Sequence, residues 1–465
     1  MTRDTAIAAA ERALDGGAFV EDLRALVAIP SESQEPRGAP ALDRYLAEAM
    51  VPRLERLGCA CRVVPNPRAG AGPFLIAERR EGDGLPTVLT YGHGDVIRGQ
   101  EDLWRAGLHP WRVVEEGARL YGRGTADNKG QHLVNLTALA AVLETRGRLG
   151  FNLRVVIETG EETGSPGLHE LCAAERDALS ADVLIASDGP RLGAARPTLF
   201  MGARGGATID LAVDLREGAH HSGNWGGLLA DPGLILAHAL ASITDARGAI
   251  RVPEWRPTSL TLAIRAALAD LAIEPPREGP DIDPDWGEPG LSAAEKVFGW
   301  NSFCVLAFVC GDPARPVNAI QPRAWARCQL RFVVGTEPAD VLPALRRHLD
   351  REGFPMVTVR RGRERDFVAT RVDPDDPWAR WAAASVARTT GASPAILPNL
   401  GGSLPNEVFA ETLGMPTIWV PHSYAGCSQH APDEHALRPV LREGLAIMAG
   451  LWWDLGEPGT PGRAR

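Results

Sequence analysis

The segment VLTYGHGDV closes on His93-Gly94-Asp95, and residues two apart in an extended chain project to the same side. An imidazole backed by a carboxylate suits a metal site, with the acid supporting or orienting the ring. A surface loop can also carry that pair without any role. Asp127 follows in LYGRGTADNKG, just before a helical pattern. Its carboxylate can cap free N–H groups at the helix start, or bridge two cations. Gly122 and Gly124 do not complete a dinucleotide-binding fingerprint. In LRVVIETGEE, Glu161 and Glu162 sit side by side at the end of an apolar run. Buried unpaired charge is costly there, and a division of labour resolves it: one carboxylate on a metal, the other taking a proton from metal-bound water. Asp188 closes another apolar run in VLIASDGP, and GCSQHAPDEH offers His430 with Cys427, Asp433, Glu434 and His435 nearby. Without a CxxC pair, the donors are nitrogen and oxygen, which suit a hard-to-borderline dication. Such a convergence of acids predicts two dications about 3.5–4 Å apart, bridged by a carboxylate.

These loops need elements to hold them. Apolar runs over Thr87–Tyr91, Leu153–Ile157 and Val183–Ala186 have strand length, with helical patterns over Lys129–Thr145 and Gly167–Leu179 between them. Further helical spacing covers Ala18–Ala28 and Ala39–Leu57, the latter ending at Gly58. Strand–helix alternation predicts an α/β fold with a mixed, mostly parallel, buried sheet whose carboxyl-end loops carry the chemistry. From Met201 the pattern changes. Strands over Thr208–Leu215, Ala324–Val334 and Val357–Arg361, with helices over Pro232–Ile243 and Glu337–Arg351, suit a small α+β sandwich. A helix over Trp378–Thr390 and a strand over Thr417–Val420 resume the first pattern. The expectation is a discontinuous catalytic domain, 1–202 and 368–465, interrupted by an inserted domain at 203–367. Residues 274–290, rich in Pro, Asp and Gly, read as an exposed loop.

Composition narrows the classes. The chain has 465 residues and 49.7 kDa, is 45% hydrophobic and 23% charged, and has a mean hydropathy of −0.12. That suits a globular protein of two to four domains rather than a disordered scaffold. No apolar run approaches the roughly 18 residues of a membrane span. A net charge of −10 without a basic block argues against nucleic acid or an anionic membrane as partner. The seven cysteines are odd in number and scattered, as in a reduced cytoplasmic protein, and the N-terminal stretch lacks the apolar core of an export signal.

Taken in order, GHGDV, GRGTADNKG, GEE at 160–162, SDGP, HSGNWGG, VNAIQP, GGSLP and HAPDEH resemble the co-catalytic dizinc peptidases. That family includes carnosinase, bacterial dipeptidases, glutamate carboxypeptidase, acetylornithine deacetylase and succinyl-diaminopimelate desuccinylase. The resemblance implies that His93 and Asp188 ligate one zinc, Glu162 and His430 the other, and Asp127 both. Asp95 would orient His93, and Glu161 would be the general base toward a dizinc-bridged hydroxide. Mn2+ or Co2+ could replace Zn2+ on such donors. It implies a cis peptide at Asp127–Asn128, and an inserted domain serving as lid and homodimer interface. From that domain His221 would meet the oxyanion, within its own chain or across subunits. Asn318, Arg331, Gly402 and Ser403 would hold substrate, Arg331 gripping a carboxylate through its planar fork. Gln321 and the 274–290 stretch depart from the family pattern. The implied reaction is amide hydrolysis of a dipeptide or small peptide-like substrate. The alternative is an N-acyl-amino-acid deacylase, or another amidohydrolase or deaminase on the same scaffold. Asp at 188 and the GGSLP loop lean toward dipeptidases. The remaining histidines, His132, His422 and His435 among them, read as core or surface residues.

Overall fold

A computed structural model of the chain describes residues 2–273, 281–362 and 366–462. The chain forms β1 (Ala60–Val64), β2 (Phe74–Arg79), β3 (Thr87–His93), β4 (Asn152–Glu158), β5 (Val183–Ala186) and β6 (Thr198–Phe200). It then builds β7 (Gly205–Asp214), β8 (Ser302–Val309), β9 (Arg323–Phe332) and β10 (Thr358–Arg361), and returns as β11 (Ala395–Leu397) and β12 (Thr417–Trp419). The eight-stranded main sheet runs β1-β2-β4-β3-β5-β12-β6-β11. Its centre, β4, β3, β5 and β12, is parallel throughout. Antiparallel pairings bring in β1 and β2, and join β12 to β6.

The central strands are unbroken apolar runs because both faces are covered. Along β5, Val183 and Ile185 enter one core while Leu184 and Ala186 enter the opposite one, all without exposure. Helices Arg3–Asp15, Lys129–Arg146, Pro377–Thr390 and Arg438–Leu455 pack together over the first face. Arg3 locks the terminal helices together, its Nε donating to Asp454 at 3.0 Å and one terminal nitrogen to Thr389 at 2.6 Å.

The second sheet, β8-β9-β7-β10, is antiparallel. Alternate residues Ile209, Leu211 and Val213 of β7 and Ala326, Cys328 and Leu330 of β9 face a third core with helices Pro232–Ile243 and Val341–Arg351. The other face is polar, with Asp210 and Arg327 paired at 2.8 Å. Strand β8 lies at the edge and leaves Val305, Leu306, Phe308 and Val309 exposed.

Two local readings change. The helix over 167–179 breaks at Glu175, whose carboxylate takes Arg62 at 2.9 Å, giving Leu168–Ala174 and Arg176–Leu179. The helical path over 39–57 contains a wide turn at Tyr45–Met50 just before Pro52, which has no N–H to continue the ladder. Residues 281–286, 289 and 290 are exposed and lie in no helix or strand, as the loop reading of 274–290 expects, and two residues anchor the segment. Glu288 is buried against Arg256 at 2.5 Å, and Gly287 N donates to Arg247 O. Residues 274–280 lie outside the described residues. Nearby, Ile264, Leu268, Leu271, Ala294 and Phe298 join Leu404 and Val408 in the second core of the main sheet.

Candidate active site

Because β4, β3, β5 and β12 are parallel, their carboxyl ends share one edge, where open α/β sheets place their chemistry. His93 is the last residue of β3, Glu161 and Glu162 form a short turn after β4, and Asp188 follows β5. His430 comes from the loop after β12, and Asp127 precedes the helix Lys129–Arg146 through a cis peptide to Asn128. His93 Nε2 lies 3.1 Å from Asp127 Oδ1 and 3.6 Å from Asp188 Oδ2. His430 Nε2 lies 3.2 Å from Asp127 Oδ2 and 3.0 Å from Glu162 Oε2. Two donor triads result, each compact enough to hold a metal ion, with Asp127 contributing to both.

Asp95 is fully buried and does two things. Its main-chain and side-chain oxygens lie 3.1 and 3.4 Å from His93 Nδ1, which turns the Nε2 lone pair toward the carboxylates. Its two carboxylate oxygens also accept the backbone N–H groups of Glu161 and Glu162 at 3.2 and 3.1 Å. One acid thus sets the imidazole and the turn bearing both glutamates.

The electrostatics call for cations. Burial, then Asp127, pushes Glu162 up to about 7 and Asp188 up to about 6. Burial also holds the Glu161 carboxyl well above its ordinary range; His93 opposes this, while Glu162, Asp188 and Asp127 reinforce it. Hydrogen bonds donated by its ring to the Asp127 and Glu162 carboxylates raise His430 to about 11. Burial disfavours charge on His93, but Asp127 and Asp95 outweigh it and lift its pKa. Burial makes bare negative charge costly on these acids, and the imidazoles answer it by holding protons where a ligand set would hold metal. Asp188 Oδ2 is buried without a hydrogen-bond partner and faces His93. These residues fit divalent cations.

The residues expected to hold substrate fall into two groups. Arg331 on β9 donates to Ser403 Oγ at 2.6 Å, beside Gly402, whose carbonyl accepts Arg204 N. His221 lies in a two-residue ribbon paired with Ala319 and accepts Gly223 N through Nδ1, while the Asn318 carbonyl takes Ser222 N at 3.0 Å. Among the described residues, no hydrogen bond or ion pair joins His221 or Asn318 to the metal-ligand cluster. A cavity of about 390 Å³ opens beside Glu162, lined also by Ser165, His169, Phe367 and Glu407.

Several supporting residues carry no sequence signal of their own. Asn128 donates to Ser187 O at 2.8 Å and receives His132 Nδ1 at 3.0 Å through its carbonyl, and His132 meets Tyr45 Oη at 2.6 Å. Arg204, nearly buried, grips the 401–403 loop through Gly401 O at 2.7 Å.

An α/β sheet carrying two carboxylate–imidazole triads at its carboxyl edge defines a protein built around a divalent-metal site. Residues 89–454 match the family model described as peptidase family M20/M25/M40, and the chain belongs to that family. Over 249 residues it is 33% identical to the mouse Beta-Ala-His dipeptidase, an alignment covering 50% of each chain. It is 35% identical over 227 residues to the Cysteinylglycine-S-conjugate dipeptidase of Corynebacterium striatum, covering 48% of each. The matched stretch thus spans about half the length of these curated relatives. The crystal structure of human carnosine dipeptidase 1 shares the fold with a TM-score of 0.77 at 24% identity, covering 97% of this chain and 98% of that one.

Proposed function

We propose that the protein is a metal-dependent hydrolase of dipeptides, working with two zinc ions. The observation that carries this reading is the pair of donor triads sharing Asp127, with Glu161 in the same buried electrostatic cluster. His93 and Asp188 would hold one ion, Glu162 and His430 the other, and Asp127 both. When bound, such ions supply Lewis acidity and lower the pKa of water. Glu161 takes the proton of the attacking water and returns it to the leaving nitrogen, a role suited to a carboxyl whose proton affinity burial raises. Asp95 keeps His93 and the Glu161 amide in register. Arg331 and Ser403, with the Gly402 backbone, hold the substrate carboxylate, a planar acceptor for a planar donor. His221, with Asn318 across the same ribbon, offers an imidazole N–H to the developing oxyanion.

The dipeptidases among its relatives support a dipeptide substrate. We read 203–367 as the lid and homodimer interface, supported by the exposed apolar edge strand β8. No helix among the described residues is long and apolar enough to cross a membrane, and we place the protein in the cytoplasm as a reduced, multi-cysteine chain. A panel of dipeptides set against N-acyl amino acids, with products read by mass spectrometry, tests the substrate class. Free amino acids from dipeptides are expected; acyl release alone would overturn it.

A further inference from the structure

Outside the ligands themselves, the most heavily bonded acid near the cluster is Glu434, four residues beyond His430 and 1% exposed. Its Oε1 accepts three N–H groups of one loop, from Gly124 at 3.0 Å, Ala126 at 3.0 Å and Asp127 at 3.1 Å. Its Oε2 accepts the buried Arg123 at 2.8 Å, and its backbone carbonyl takes Gly122 N at 2.9 Å. The 122–127 loop is therefore wrapped around one side chain of the 427–435 loop. That second loop is strained, since Ser428, His430 and Asp433 all have left-handed backbones without being glycine (φ 57°, 59° and 61°). His430 and Gln429 reach the Asp127 carboxylate from this loop, and Glu434 is the side chain that ties it to the Asp127 backbone.

The geometry points to Glu434 as a positioning residue that sets the Asp127 backbone against the His430 loop, so that one bridging acid meets donors arriving from separate loops. It touches no metal and no substrate. Its effect passes through the Asp127 N–H, one residue's main chain away from the carboxylate that both triads share. This inference rests on the divalent-metal reading of the site. The competing role is that of a counter-ion alone, for Arg123, whose guanidinium also lies 5.5 Å from the Trp104 ring centre.

Two conservative variants separate the roles. Glu434→Asp keeps the charge for Arg123 but withdraws the oxygen from the three amides by one carbon–carbon bond. Glu434→Gln keeps an amide-accepting oxygen and loses the charge. Purified full-length proteins, stripped with chelator, are equilibrated against buffered free Zn2+ and their bound zinc is counted, with the thermal midpoint of each stripped protein recorded alongside. Glu434→Asp should lose roughly ten-fold or more in zinc affinity, the range seen when groups that hydrogen-bond metal ligands are changed, while Glu434→Gln loses less. Equal affinities, or Glu434→Gln the weaker of the two, would overturn the positioning role. A wild-type protein that holds no zinc would instead overturn the metal reading on which it stands.

Discussion

At the scale of single residues, the site works by placing acids where each has a different neighbour. Glu161 and Glu162 are adjacent in sequence, yet Glu162 faces His430 at 3.0 Å while Glu161 has no such imidazole contact among the described bonds. Removing the proton carrier should leave the ligands in place. Glu161→Ala is therefore expected to keep its full metal content by elemental analysis while turnover falls by about 10²–10⁴-fold. Loss of metal together with activity would make Glu161 a ligand. Arg331 makes a different case, because its fork already donates to Ser403. Arg331→Lys should raise KM about ten-fold or more with a smaller change in kcat, reflecting one charge-assisted bond to a substrate carboxylate lost. Steady-state kinetics on a good dipeptide substrate reads this directly.

At the scale of elements, position comes from strands that are buried on both faces. Ile185 sits fully buried in β5, three residues before Asp188. Ile185→Ala should cost about 2–5 kcal/mol in denaturant unfolding, by the loss of buried methyl groups and the cavity left behind. The strands and their acid-tipped ends were legible in the sequence because the residue types are specialised: apolar runs of strand length, each closed by His or a carboxylate. The helices Pro232–Ile243 and Lys129–Arg146 were legible from spacing alone. The break at Glu175 and the wide turn at Tyr45–Met50 were not, because a lost backbone bond leaves no periodic mark. Glu434 was visible only as an acid near His430. Its three amide partners lie about 310 positions away in the chain, and contacts that distant have no local pattern. Strand β1 escaped because its mostly exposed residues form no apolar run, whereas β2 carries a buried run, Phe74–Ala77, too short to stand out without its neighbours in the sheet.

At the scale of the whole molecule, two cores flank the main sheet and a third lies beneath the antiparallel one. The edge strand β8 carries four large apolar residues into solvent, an arrangement that isolated proteins avoid and interfaces use. Light scattering should therefore report twice 49.7 kDa for the wild type, and Leu306→Lys with Val309→Lys should report 49.7 kDa. A monomeric wild type would remove the proposed interface. If His221 acts across subunits, mixing His221→Ala with Glu161→Ala chains should recover activity in verified mixed dimers. The most direct test of the whole account is a metal titration of the chelator-stripped enzyme, with amino-acid release from a dipeptide followed at each addition of Zn2+. Two bound ions joined by Asp127 predict no hydrolysis without metal and full hydrolysis at two equivalents per chain. Hydrolysis that survives stripping, or that saturates at one equivalent, would contradict it.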